Sequence, residues 1–422
     1  MSNAVHQFVS EERLRRDISS TGKFGKVQSV GGNGRTVLTG TKPDKHAREY
    51  FVDRIRDAGL AVRIDEVGNI GGLWVPDGVS ESVPAVGTGS HLDSVTEGGI
   101  FDGVLGVYAG LEAVRAIQAA DVDVNRPIEV VSFTEEEGGR FSDGVLGSSV
   151  AIGERSVDDA LALEDSDDIS CREALEGIGF RGEGLLDASE WDSWVELHVE
   201  QSTKLENAGV PVGIVTDITG TIRCHIEIVG EANHAGTTSM GHRTDALTAA
   251  SELVLEVESV TRDIVDETSS TAVATVGEFD VYPNCINVIP GTVHLGVDIR
   301  DVSYDSMEQI VSSIRDCLNR LESDHDVETE FAKPYDIPPI SMDDRCIAAF
   351  RRGTSITDLE TIDMHSGAGH DTMHVAKVTD AGMIFAPSRG GLSHSPEEWT
   401  DWKDCTAATS VLAEAIYDLA TT

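Results

Sequence analysis

Four short stretches carry residue types that hold and use metal ions. In GSHLDSVTEGGIFDG, His91 is followed two residues later by Asp93, a carboxylate placed to orient its imidazole, and Asp102 lies across a glycine turn. In FTEEEGGRF three consecutive carboxylates, Glu135, Glu136 and Glu137, precede two glycines. On an open surface water solvates such a run; beneath a cleft the charges need cations. VELHVEQ carries His198 between Glu196 and Glu200, and SRGGLSHSPEEW presents His394 on a Gly/Ser-rich loop. Taken singly, each histidine is more often a surface or hydrogen-bonded residue than a ligand. Together they offer imidazoles and carboxylates without a thiolate, the mix preferred by zinc and its neighbours.

The surrounding elements have to bring these stretches together. Between residues 45 and 160 the pattern predicts a helix near 45–59, short strands near 61–75 and 83–90, a helix near 103–120 and a strand near 127–134. Helices alternating with apolar strands point to an α/β domain with a central, mainly parallel sheet, where ligands gather at the carboxyl ends of the strands. His91 and Glu135 to Glu137 fall just beyond the strands GTGSH and EVVSFT, on one rim. From about residue 215 the texture changes to strand, loop, long helix, two strands and another helix near 304–323, with a further strand around 327–331. That order describes a compact α+β unit of the split βαβ kind. The expected division is a catalytic domain of residues 1–214 and 332–422, interrupted by an inserted domain of residues 215–331. The first domain then also supplies His365 and His370.

A length of 422 residues is too great for one ordinary core and fits two. The 74 acidic residues against 32 basic give a formal charge of -42, which repels nucleic acid and anionic lipid. Only eight of the basic residues are Lys and the acids are spread along the chain, a surface suited to a high-salt cytosol. Six scattered cysteines, none in a C-x-x-C spacing, read as reduced and mostly buried. MSNAVHQFVSEERLRRD has no apolar core of a signal peptide, and no run approaches the ~18 residues of a membrane span, so a soluble, cytoplasmic protein is expected.

GSHLDSV with GGIFDGVLGV, TEEEGGRF, ELHVEQ, NHAGTTSM with HRTDA, NVIPG with DIR, SGAGHD and SRGGLSHSPEE come in an order that resembles the M20 metallohydrolase superfamily. The resemblance is to its hydantoinase/carbamoylase amidase branch, and it runs from about residue 30 to the C-terminus. It implies two divalent ions per subunit, zinc foremost with manganese, cobalt or nickel as alternatives. His91 and His198 would bind one, Glu137 and His394 the other, and Asp102 would bridge them. Glu136 would be the general base, a distinction from Glu137 that chemistry alone does not make within the EEE run; Glu135 receives no role. Asp93 matches the carboxylate behind His91. A histidine at position 198, where the peptidase branch usually has a carboxylate, favours an amidase.

The resemblance also implies a substrate end. A carbamoyl amino acid carries a carboxylate, and Arg300 in GVDIRD can grip it with two parallel hydrogen bonds; the alternative is a strand-end ion pair with Asp298 or Asp301. Asn287, Gln201 and Gly369 match substrate contacts, and His370 with Asp371 reads as a structural hydrogen-bonded pair. His234 would reach a neighbouring subunit's site and stabilise the oxyanion, which makes a homodimer the expected active unit. The expected reaction is hydrolysis of a ureido or carbamoyl C–N bond of a small ureido acid. A peptidase or N-deacylase of the same fold, and a catalytically silent metal- or peptide-binding relative, are the alternatives.

Overall fold

The computed structural model describes residues 4–27 and 32–422. The chain divides into two units, Met1–Thr216 with Met342–Thr422, and Asp217–Ser341.

The first unit is built on a nine-stranded sheet. Its four central strands, Ile128–Phe133, Val86–His91, Ser193–Val199 and Asp380–Ala386, run parallel in that spatial order. Three of them, IEVVSF, VGTGSH and SWVELHV, are buried at every position, as expected of parallel strands covered on both faces. The outer strands, Ile70–Trp74 with Ala61–Ile64 on one side and Val212–Ile218 on the other, are antiparallel. The crossover from Val86–His91 to Ile128–Phe133 is the helix Val104–Ala120, rich in Ala, Gly and Val and buried along almost its whole length. It packs against the sheet and against the last helix, Trp402–Thr421.

The second unit is a four-stranded antiparallel sheet in the order Glu328–Ile337, Gly220–Val229, Thr292–Asp301, Val273–Tyr282. Alternate residues of Gly220–Val229 and Thr292–Asp301 point inward, and Ile222, Cys224, Ile226, Val293, Leu295 and Ile299 join a core with the helices Ala246–Glu267 and Tyr304–His325. Two parallel strands joined through a helix, with an antiparallel strand between them, form the split βαβ arrangement. Its end differs from the expected 331. The Lys333-Pro334 pair reads as a break in sequence, yet Glu328–Ile337 continues as a strand through it. It is an edge strand, and its register shifts between Ala332 and Tyr335, so the missing proline N–H costs no ladder bond. The first unit therefore resumes at 342 instead of 332.

All six cysteines are free thiols; Cys285 is exposed and the other five are buried. Among the described residues, no helix is long and apolar enough to cross a membrane.

Candidate metal centre

The parallel pairing of Val86–His91 with Ser193–Val199, with Thr88 opposite Val195, brings His91 and His198 to the same sheet rim, their rings 5.9 Å apart. Asp102 stands at the head of the helix Val104–Ala120, where the positive end of the helix dipole favours a carboxylate. The next residue must be glycine: Gly103 has φ 66°, and a Cβ there would fall onto the His91 imidazole. Asp102 Oδ1 lies 3.1 Å from His198 Nε2 and 3.6 Å from His91 Nε2. Its Oδ2 lies 3.6 Å from His394 Nε2, which is 3.1 Å from Glu137 Oε2. One carboxylate thus turns an oxygen toward each of two donor pairs. Within each set, His91, Asp102 and His198, or Asp102, Glu137 and His394, the donor atoms lie within 4.8 Å of one another.

The protein alone leaves this cluster unsatisfied. His91 Nε2 and Glu137 Oε1 are buried without a hydrogen-bond partner, a cost of about 1–3 kcal/mol each. His198 Nδ1 faces the Val199 carbonyl at 3.1 Å and so carries the ring proton, while Nε2 accepts from the Gly103 N–H at 3.3 Å. An unprotonated Nε2 aimed at a carboxylate oxygen calls for a cation between them. Burial pushes Glu136 well above the usual carboxylate range; Asp371, Glu137 and Asp93 push it further, against the attraction of His91. The hydrogen bond that His394 donates to Glu137 raises its pKa to about 9. These residues fit a metal ion, which would supply the positive charge the protein otherwise recruits as protons. A third group, Glu196, His198 and His370, differs. Glu196 accepts from Ser90 (2.6 Å) and Thr372 (2.5 Å), and His370 Nε2 pairs with Ser366 at 3.0 Å, so its donors are already occupied by hydrogen bonds.

The supports beneath the cluster are only partly visible in sequence. Asp93 lies 3.6 Å from His91 Nδ1, but its two oxygens also accept the backbone N–H groups of Glu136 (3.3 Å) and Glu137 (3.1 Å), tying one ligand loop to the next. Glu135, given no role from sequence, accepts from the N–H groups of Arg140 and Phe141, both at 2.7 Å, and so closes the turn after the acidic run. Arg35 has 0% exposure and donates to the carbonyls of Leu92 (2.7 Å), Asp93 (3.1 Å) and Gly99 (3.2 Å). Burial lowers its pKa, while Asp93, Glu398 and Glu137 favour its charge. Glu398 is buried too, at the end of SHSPEE; only its closeness to His394 could have drawn attention to it, and nothing in the sequence marks Arg35.

The other expected site residues fall in several places. Gln201 donates to Asp102 Oδ2 at 3.3 Å and to Ser393 Oγ at 3.2 Å. Gly369 is exposed between the strand Thr361–Ser366 and the helix Asp371–Val375. His370 is not paired with Asp371 as expected; it bonds to Ser366 and packs against the His198 ring, centroids 4.5 Å apart and the planes tilted by 59°. In the second unit, the short strands Asn233–His234 and Val288–Ile289 pair with Val288 opposite His234, and the Ala235 N–H donates to the Asn287 carbonyl at 3.0 Å. His234 and Asn287 are therefore neighbours, both exposed. His234 Nδ1 accepts from Gly236 (3.0 Å) and Thr237 (3.2 Å), which leaves the ring proton on Nε2. Arg300 donates from Nε to Asp298 Oδ1 at 2.8 Å, whereas Asp301 accepts from Ser269 and Thr271.

Residues 83–418 match the family described as peptidase family M20/M25/M40. The chain is 36% identical over 414 residues to an N-carbamoyl-L-amino-acid amidohydrolase of Pseudomonas sp. (strain NS671), covering 97% of this chain and 98% of the relative. It is 34% identical over 390 residues to an allantoate amidohydrolase of Bacillus subtilis (strain 168), covering 92% and 93%. A crystal structure of a hydantoinase/carbamoylase family amidase from Burkholderia multivorans superposes with a TM-score of 0.90 at 33% identity over 98% of both chains. The buried imidazole and carboxylate cluster thus sits in a chain that belongs to the M20/M25/M40 family, in its hydantoinase/carbamoylase amidase branch, and that is a hydrolase of non-peptide C–N bonds.

Proposed function

We propose that this protein hydrolyses the ureido or carbamoyl C–N bond of an N-carbamoyl amino acid or a related ureido acid, releasing ammonia, carbon dioxide and the free amine. The observation that carries this reading is Asp102 turning one oxygen toward His91 and His198 and the other toward Glu137 and His394, with Glu136 in neither group. His91 and His198 would hold one divalent ion, Glu137 and His394 the second, with Asp102 shared between them; zinc would suit the donors best, and manganese, cobalt and nickel would suit them too. Two ions held there would supply the acidity of a water near neutrality and the polarisation of the carbonyl under attack.

The remaining work belongs to the chain. Glu136, whose Oε2 lies 3.6 Å from His91 Nε2, accepts a proton from the water as its oxygen bonds to the ureido carbon, then returns it to the leaving nitrogen. His234, with its proton on Nε2, serves the neighbouring subunit's site by donating to the oxyanion, and Arg300 takes the substrate carboxylate, exchanging Asp298 for it, with Asn287, Gln201 and Gly369 as further contacts. Glu136→Gln keeps both ions and loses turnover by about 10²–10⁴-fold; unchanged ammonia release from an N-carbamoyl amino acid would sink the assignment. A dipeptide assayed beside it separates this reading from peptidase activity.

The active unit is a homodimer formed through the second unit. The edge strand Val273–Tyr282 exposes Val273, Phe279 and Tyr282, and Ile286, four residues on, and Met240 of the same unit are exposed as well. An uncovered edge of this length and apolarity is a site for pairing with a second chain. The acidic, lysine-poor surface points to a high-salt cytoplasm; a melt showing full stability in low salt speaks against it.

A further inference from the structure

Glu398 is a carboxylate in the cluster's floor that the reaction does not consume. Its side chain is buried, and Oε1 accepts the backbone N–H groups of Phe101 at 2.9 Å and of Asp102 at 3.1 Å. It comes from the loop that carries His394. On that loop Ser393 Oγ donates to Asp102 Oδ2 at 2.7 Å and lies 3.5 Å from Glu398 Oε2. The turn before Asp102 is shaped around this contact: a Cβ on Gly99 would fall inside the Glu398 carboxylate, and Gly99 is held from its other side by Arg35, which donates to its carbonyl at 3.2 Å. Nothing at Gly99 demands a positive φ, and the three atoms nearest an added Cβ all belong to Glu398.

We propose that Glu398 is a positioning residue that fastens the His394 loop to the Asp102 turn, so that the donor group Asp102, Glu137 and His394 forms as one piece. The proposal rests on the two-ion reading above. Asp102 has to aim its two oxygens in different directions, and its backbone is fixed by a carboxylate from the loop whose histidine meets one of them. A loop without this fastening still carries His394 but no longer sets its distance to Asp102 Oδ2. Because Glu398 acts as an acceptor of two N–H groups, glutamine at this position serves through its amide oxygen, and alanine does not.

The experiment uses the full-length protein loaded with zinc and, separately, with cobalt. Metal content is measured after dialysis against graded chelator, with the cobalt visible spectrum, kcat and KM on an N-carbamoyl amino acid, and folding by circular dichroism. Glu398→Ala is expected to stay folded and to hold one of its two ions about 10–100-fold more weakly, the usual cost of losing a support behind a metal ligand, with kcat falling and KM little changed. Glu398→Gln restores retention of the second ion. Gly99→Ala, which removes no polar group, reproduces the Glu398→Ala defect by displacing the carboxylate, and it keeps the proposal open to refutation if Glu398→Ala fails to fold. A folded Glu398→Ala or Gly99→Ala protein holding both ions as tightly as wild type overturns the proposal, and so does a Glu398→Gln protein as impaired as Glu398→Ala. Wild-type protein that retains no stoichiometric metal overturns the two-ion reading itself, an outcome no Glu398 variant can mimic.

Discussion

The two halves of the donor cluster share Asp102 and little else. His91 and His198 lie on neighbouring parallel strands, each side chain 1% exposed, with backbone hydrogen-bonding geometry that orients their rings. His394 sits on a loop at φ 52°, with 51% of its side chain exposed, and its partner Glu137 belongs to a turn that Asp93 and Glu135 hold in place. The first half is made by the sheet. The second is made by loops held with hydrogen bonds, so it depends on supports such as Asp93 and Glu398. A buried, preformed donor set holds an ion without paying for ordering at the time of binding, whereas an exposed loop ligand does not.

The largest effect should come from breaking what the halves share. Asp102→Ala removes a donor from both, and both ions and about 10⁴-fold of turnover should go, the scale seen when a member of a cooperating set is lost; a variant that keeps one ion and partial activity would show that the bridge is dispensable. Next, graded chelator should strip wild-type protein in two steps at least about tenfold apart in concentration, or about 1.4 kcal/mol. His394→Ala should abolish the early step alone, and His198→Ala should remove the late one and also destabilise the metal-free fold by roughly 1–3 kcal/mol by leaving buried partners unpaired. A single step for both ions would contradict the asymmetry. The smallest effect lies in the second unit: Arg300→Lys should leave metal content untouched and raise KM about tenfold, since an ammonium replaces a two-pronged grip. An equal fall in kcat with KM unchanged would assign Arg300 to the chemistry instead.

What stands at the ends of the buried strands is the more legible part of the cluster in sequence. GTGSH and EVVSFT announce buried strands, and the residues at and just beyond their carboxyl ends, His91 and three glutamates, declare their chemistry locally. The choice of Glu136 over Glu137 came from the family pattern, because three identical side chains differ only in where the backbone turns, and that depends on Asp93 reaching across from the loop that follows Val86–His91. Glu398 has only its closeness to His394 to mark it in sequence, and Arg35 has nothing. Glu398 acts on Phe101 and Asp102, nearly 300 residues earlier in the chain, through backbone groups that leave no trace in side-chain identity. A buried arginine looks in sequence like any surface one; what sets Arg35 apart is the set of carbonyls folded around it. The second unit's order of elements could be read from its periodicities, but its last strand overran the expected boundary because a proline tolerated at an edge reads as an end.

The second unit's ends have a further consequence. It leaves after Val212–Ile218 and comes back through Ile340–Ser341, and these segments are antiparallel partners, Ile218 opposite Ile340 and Asp217 opposite Ser341. Chain entry and exit therefore stand one strand spacing apart, about 5 Å, the geometry of a hairpin with an entire folding unit in place of its turn. Such a cassette imposes almost no closure entropy on the chain that hosts it. Replacing residues 220–338 by a two-residue turn should leave a self-sufficient metal-binding protein, on which the ion cluster can be studied apart from His234, Asn287 and Arg300.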